Sequence, residues 1–134
     1  MDNPSVKDKS LQNILNFLKE HSSKYFNIEC CAFVGKNKNN YIAEFVPNRS
    51  PEPNLFFCID PVEYLRFQSE NEMICLFHSH PSSDEKFSEQ DENNSEATCL
   101  PFLVYSLPSD KFSLYEPKIN ESNVNILNKV KGLI

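Results

Sequence analysis

The sequence predicts an α/β (α+β) fold, one mixed β-sheet flanked by helices, on three observations. Short β-prone apolar runs alternate with stretches of helical periodicity along the whole chain, so strands and helices interleave. The 134 residues suit one domain and fall short of the roughly 200 that a TIM barrel needs. A composition of 40% hydrophobic and 24% charged residues is that of a chain with a core, and no internal repeat or domain-sized linker divides it.

The elements follow in order. Leu11, Ile14, Leu15 and Leu18 recur at helical spacing, with polar residues between them, and predict an amphipathic helix over residues 9–20. Residues 30–34 form an apolar strand ending at Gly35, and residues 41–46 form its returning partner. The polar stretch 36–40 between them reads as a loop rather than a tight turn. Prolines make 47–54 a loop, and 55–59 reads as a short strand. Asp60-Pro61 with Glu63 is a helix start, Asp as N-cap and Pro in the first turn, for a helix to about residue 69. Residues 73–77 are a buried strand running into His78-Ser79-His80-Pro81. After a polar loop, Ser88 caps a second helix over 88–99, with Glu89 and Asp91 in its first turn. Strands at 102–106 and 112–115 and a helix at 124–130 complete the chain.

Charge and cysteines exclude several classes of function. Thirteen basic against nineteen acidic residues, a net charge of −6, leave no electrostatic footprint for nucleic acid or anionic membrane. No apolar run approaches a membrane span, and the start Met1-Asp2-Asn3-Pro4 lacks the regions of a signal peptide. A cytoplasmic location is therefore expected. The five cysteines, odd in number and with Cys30 and Cys31 adjacent, argue against a disulfide framework; they read as reduced, buried, small hydrophobes.

The chemistry concentrates after the 73–77 strand. Strand side chains alternate, so His78 and His80 share a face about 6–7 Å apart at Cα. Both imidazoles can then reach one ion at bonds of about 2.0–2.1 Å. Asp91 follows eleven residues after His80, three after Ser88 and on the same helix face as Ser88. Three ligands with a fourth position for water is the arrangement of catalytic rather than closed zinc sites.

The string His78-Ser79-His80-Pro81 with Ser88-x-x-Asp91, preceded by Glu29-Cys30-Cys31-Ala32-Phe33-Val34-Gly35, resembles the signature of the JAMM (MPN-plus) zinc metalloproteases, with Ala32 where Gly is usual. The resemblance covers about residues 25–117, within one JAMM/MPN-type domain over 1–134, and implies a cytidine-deaminase-like mixed sheet. Pro47-Asn48-Arg49, Asp60-Pro61 and Leu100-Pro101-Phe102 make it most similar to the JAMM domains of bacteriophage tail-tip assembly proteins. Phe102 stands where Trp is usual there, and Ser95 where Cys is frequent.

The resemblance implies that His78, His80 and Asp91 hold Zn2+, that Glu29 is the general base and acid, and that Ser88 stabilises the oxyanion. The implied reaction is hydrolysis of a peptide or isopeptide bond, with phage tail proteins as partners and the host cytoplasm or the virion tail as location. The metal is expected at the sheet edge where the His78 strand ends, with the 60–69 and 88–99 helices packed on the sheet.

Each residue also has a plainer role: Ser88 a cap only, Asp91 a complement to the helix dipole, the histidine pair a solvated loop start. Glu44 on the neighbouring strand is the alternative base. His21 reads as a helix C-terminal cation, Ser79 as a packing residue, and Glu85, Glu89, Glu92 and Glu96 as a solvated acidic face, with Glu85 beside the metal loop.

Other metal-enzyme patterns do not fit. A metallo-β-lactamase needs Asp-His where Ser82-Ser83 stand, amidohydrolases need a TIM barrel, and a two-metal nuclease needs more carboxylates. The rival from another class is a non-enzymatic tail-tip module that retains the metal site. The compact chain leaves no room for the insertions that position ubiquitin in deubiquitinating relatives, and it is expected to lack the papain-like amidase domain that can follow a phage JAMM domain.

Overall fold

The computed structural model describes residues 3–134, so Met1 and Asp2 lie outside the described residues. In chain order the elements are β1 (Ser5–Asp8), α1 (Leu11–Ser22), β2 (Cys31–Asn37), β3 (Asn40–Val46), α2 (Pro61–Glu70), β4 (Glu72–His80), α3 (Glu89–Thr98), β5 (Phe102–Ser106), β6 (Lys111–Tyr115) and α4 (Val124–Leu133). The strands form one sheet in the order β1-β3-β2-β4-β5-β6. Only the β4–β5 pair is parallel, with α3 in the crossover between them. The fold is the expected mixed α+β sheet flanked by helices.

Side-chain alternation divides the core between the two faces of the sheet. On one face Ala32, Ala43, Phe45, Phe77 and Leu103 meet Leu11, Ile14, Leu15 and Leu18 of α1 and Ile126, Leu127 and Val130 of α4. On the other, Cys31, Phe33, Leu76 and Phe102 pack beneath Phe67 of α2. Gly35 is what lets α2 sit down. A Cβ there would lie 2.6 Å from the Glu72 carbonyl oxygen and 2.7 Å from the Phe67 ring.

Several expectations change. β1 was not anticipated, since Val6 is its single apolar residue; it pairs with β3 at the sheet edge. The β2–β3 hairpin closes with a two-residue turn, Asn37 opposite Asn40, because Lys38 adopts a left-handed conformation at φ 56°. Residues 55–59 are not a strand. Their backbone is held by Asn48, whose amide donates to the Phe56 carbonyl and whose Oδ1 accepts from the Cys58 N–H. Cys58 in this loop is exposed, unlike the buried Cys30, Cys31 and Cys75. His21 lies in the last turn of α1 as expected, but its ring also packs 4.1 Å from that of Phe45, and burial, then Lys24, lowers its pKa. β4 lies inside the sheet between β2 and β5, and the histidines sit at its C-terminal end, the sheet edge where that strand stops, as expected. The α3 helix buries only Asp91 and Ser95 and stands off the sheet rather than packing tightly on it. Among the described residues no helix is long and apolar enough to cross a membrane.

Candidate metal centre

Alternation along β4 sends Phe77 and Ser79 to the α1–α4 side and His78 and His80 to the side of α2 and α3. The two imidazole centroids are 5.1 Å apart. Ser88 starts α3 with a capping box: its Oγ accepts from the Asp91 N–H at 3.0 Å, and Asp91 Oδ2 accepts from the Ser88 N–H at 3.1 Å. This fixes the Asp91 carboxylate between the histidines, 3.1 Å from His78 Nε2 and 3.2 Å from His80 Nε2. One potential ligand atom from each of His78, His80 and Asp91 lies within 4.8 Å of the others, and all three residues are buried.

The donor set fits a divalent cation. His80 Nδ1 is 2.7 Å from the Asp84 carbonyl oxygen, an acceptor that places the proton on Nδ1 and leaves the Nε2 lone pair facing inward. His78 is fully buried, and neither ring nitrogen has a hydrogen-bond partner of acceptable geometry. Nε2, which faces the Asp91 carboxylate at 3.1 Å without hydrogen-bond geometry, is the nitrogen that coordination would occupy. Burial lowers the pKa of His78, against the pull of Asp91. Burial also opposes charge on His80, but Asp91, the Asp84 carbonyl and Glu29 together raise its pKa. For Asp91, burial pushes upward and is outweighed by His78, His80 and the Ser88 amide, which hold the carboxyl below the usual range. A carboxylate facing imidazoles is the protonation state that ligation requires.

Glu29 lies just before β2, buried, and close enough to the site that the charges of His80 and Asp91 act on it. Burial pushes its pKa up to about 8, with His80 lowering it and Asp91 adding to the rise. Its backbone is clamped, the N–H donating to the Pro53 carbonyl at 2.6 Å and the carbonyl accepting from the Asn48 amide at 2.9 Å. The alternative base, Glu44, shares the histidines' face of the sheet but is engaged by Arg66 and by Asn3. The Glu29 carboxylate makes no ion pair among the described residues. Ser88 is exposed, and its Oγ, while accepting the cap bond, keeps a hydrogen to donate.

Three positioning residues escaped the sequence reading. Ser79 is more than packing: its Oγ accepts from the Cys30 N–H at 2.8 Å and its own N–H donates to the Cys30 carbonyl at 2.9 Å, locking the Glu29 segment beside β4. Asn48 ties Glu29 to the 56–58 loop, and Phe57 stacks on His78 at 4.5 Å. Their partners are far away in sequence, so only the proline-rich loop around Asn48 gave any signal. The acidic face is partly structural as well. Glu85 accepts from Ser109 Oγ at 2.9 Å and Glu96 from Tyr115 Oη at 2.7 Å.

Comparison with known proteins agrees with this geometry. Residues 11–115 match the family model described as prokaryotic homologs of the JAB domain. The chain is 26% identical over 109 residues to tail tip assembly protein K of Escherichia phage N15, covering 80% of this chain but 44% of that protein. It thus spans less than half the length of this relative. In fold it is similar to a JAB1/MPN domain protein from Archaeoglobus fulgidus, at a TM-score of 0.55 and 18% identity over 84% of this chain and 90% of that one. It is also similar to a protein from Desulfitobacterium hafniense, at a TM-score of 0.58 and 19% identity over 84% of this chain and 91% of that one.

Proposed function

Since this chain belongs to the family of prokaryotic homologs of the JAB domain, we propose that it is a zinc-dependent peptidase or isopeptidase of the JAMM type that acts in phage tail-tip assembly. The observation that carries this reading is the convergence of His78, His80 and Asp91, with Nε2 of a fully buried His78 and Nε2 of His80 both facing the Asp91 carboxylate, beside the buried carboxyl of Glu29.

In this reading His78 Nε2, His80 Nε2 and an Asp91 oxygen hold the ion. Zinc, when bound, polarises the scissile carbonyl and makes water more acidic. Glu29 takes the proton from the attacking water and later passes it to the leaving amine, and burial is what brings its basicity near neutral pH. Ser88 Oγ–H donates to the carbonyl oxygen as negative charge grows there. The Asp84 carbonyl holds the His80 tautomer, and the Ser79–Cys30 pair of hydrogen bonds keeps Glu29 in place.

The test compares zinc content and cleavage of peptide and isopeptide substrates in wild type, Glu29→Gln and His80→Ala. Glu29→Gln is expected to keep about one zinc per chain and lose roughly 10²–10⁴-fold in hydrolysis. His80→Ala should lose zinc and hydrolysis together. If Glu29→Gln cleaves like wild type while Glu44→Gln does not, Glu44 is the base.

The likeness to a tail tip assembly protein favours one second reading, a tail-tip module that keeps the metal site without turnover. A wild type that cleaves nothing, while tail assembly still depends on His80, selects it.

A further inference from the structure

Beyond the metal centre, the stand-off of α3 leaves an open apolar cavity of about 560 Å3 between α2 and α3, floored by Leu76 and Phe102 and flanked by Phe57, Leu65, Asn94 and Thr98. Two features join it to the metal centre. Phe57 stacks on the His78 ring at 4.5 Å, and Phe102 meets the same ring edge-on at 5.8 Å; both also line the groove. On α3, Asp91, Asn94 and Thr98 follow one another at i, i+3 and i+7, one helix face. That face gives the ion-binding carboxylate first and the groove wall next.

The groove therefore adjoins the metal centre across a shared wall, Phe57 and Phe102. Its lining is mostly apolar, with Tyr64 and Cys58 on the α2 side and Asn94 and Thr98 on the other, where an amide can both donate to and accept from a peptide backbone. Leu65 stands at the rim, 63% exposed. The volume lies in the usual range of ligand sites, enough for a large side chain together with its flanking backbone.

We propose that this groove receives the side chain of a substrate residue next to or one removed from the scissile bond, and so selects a large aliphatic or aromatic residue there. The proposal rests on the hydrolase reading above and adds its substrate class. Glycine or alanine at that position would leave the groove unfilled, and methylene-sized differences in an apolar pocket already discriminate by about tenfold or more.

The experiment is to digest a peptide mixture with the zinc-loaded protein and read the residues around each cut by mass spectrometry. Matched peptides with Leu or Gly at the selected position are then compared by kcat/KM in wild type, Leu65→Glu and Thr98→Arg. The expected result is enrichment of large apolar residues on one side of the cuts, with a Leu-over-Gly ratio of about ten or more in wild type that collapses in both variants. Cuts without apolar preference, or a preference unchanged in both variants, overturn the proposal and leave the hydrolase reading standing.

If the zinc-loaded protein cleaves nothing, the same Leu and Gly peptides are titrated onto Glu29→Gln. Tighter binding of the Leu peptide that is lost on adding Leu65→Glu supports the groove as a peptide site though hydrolysis has failed. Equal binding of the two peptides overturns the proposal. So does a dimer that forms with rising concentration and is abolished by Leu65→Glu, because a second copy would then be the occupant.

Discussion

The two faces of the sheet differ in what they bury. Under α1 and α4 the contacts are overwhelmingly aliphatic and aromatic. Under α2 and α3 a smaller apolar cluster around Phe33, Phe67 and Phe102 gives way to buried Glu44, His78, His80 and Asp91, and then to the open groove. The same strands serve both faces. Along β4, Phe77 and Ser79 go one way and Leu76, His78 and His80 the other, so strand parity separates the closed apolar core from the face that carries the candidate metal centre. A slip of one residue in the β2–β4 register would exchange them.

If that division holds, substitutions on the closed face should cost stability without touching the site. Leu18→Ala, at a fully buried position of α1, is expected to cost about 2–5 kcal/mol in denaturant unfolding while zinc stoichiometry stays unchanged. Zinc loss in a Leu18→Ala protein that is still folded would break the comparison.

The open face should instead show a pH dependence of its own. In metal-free protein the Glu29 carboxyl keeps its proton to about pH 8, whereas the unfolded chain releases it near its ordinary value of 4.5. The stability linked to this group is therefore fully present below about pH 4.5 and lost progressively as pH rises from there to about 8, at most about 5 kcal/mol. Chemical denaturation across that window should show the loss in wild type and a flatter profile in Glu29→Gln. Bound zinc should reduce the slope by favouring the carboxylate.

Gly35→Ala sharpens the boundary between the faces. Its new methyl collides with the Phe67 ring and the Glu72 carbonyl, so thermal unfolding should report a loss of about 1–3 kcal/mol, with α2 displaced and the groove altered. Ser88→Ala should have the smallest effect on stability, about 1 kcal/mol for a lost cap. A fall in hydrolysis beyond what that loss of folded protein explains would give Ser88 its second role.

What could be read from the sequence follows the same physics. The elements whose signals are local were legible: the Leu11–Leu18 periodicity, the Asp60-Pro61 cap and the Ser88 cap all appear where the residues place them. So was the His78, His80 and Asp91 cluster, because strand alternation and one helical turn fix its spacing. The misses depend on partners distant in sequence. β1 exists because β3 offers an edge, and 55–59 is no strand because Asn48 takes up its backbone groups. The tight hairpin turn needs a left-handed Lys38, a conformation that the residue type does not advertise.

The Asp91 carboxylate belongs to two structures at once, the opening turn of α3 and the cluster between the imidazoles. Apart from that carboxylate only Ser95 of α3 is buried, and the half-buried Glu96, which accepts from Tyr115 Oη of β6, is another tie between helix and sheet. An ion held by the cluster would couple its occupancy to local opening of α3. Without an ion Asp91 keeps only its contacts to the two imidazoles as a tie to the sheet, and the α3 amides should then exchange with solvent before those of α1. The rate at which this one helix takes up deuterium would serve as a gauge of how much metal the protein holds, without any substrate having to be found.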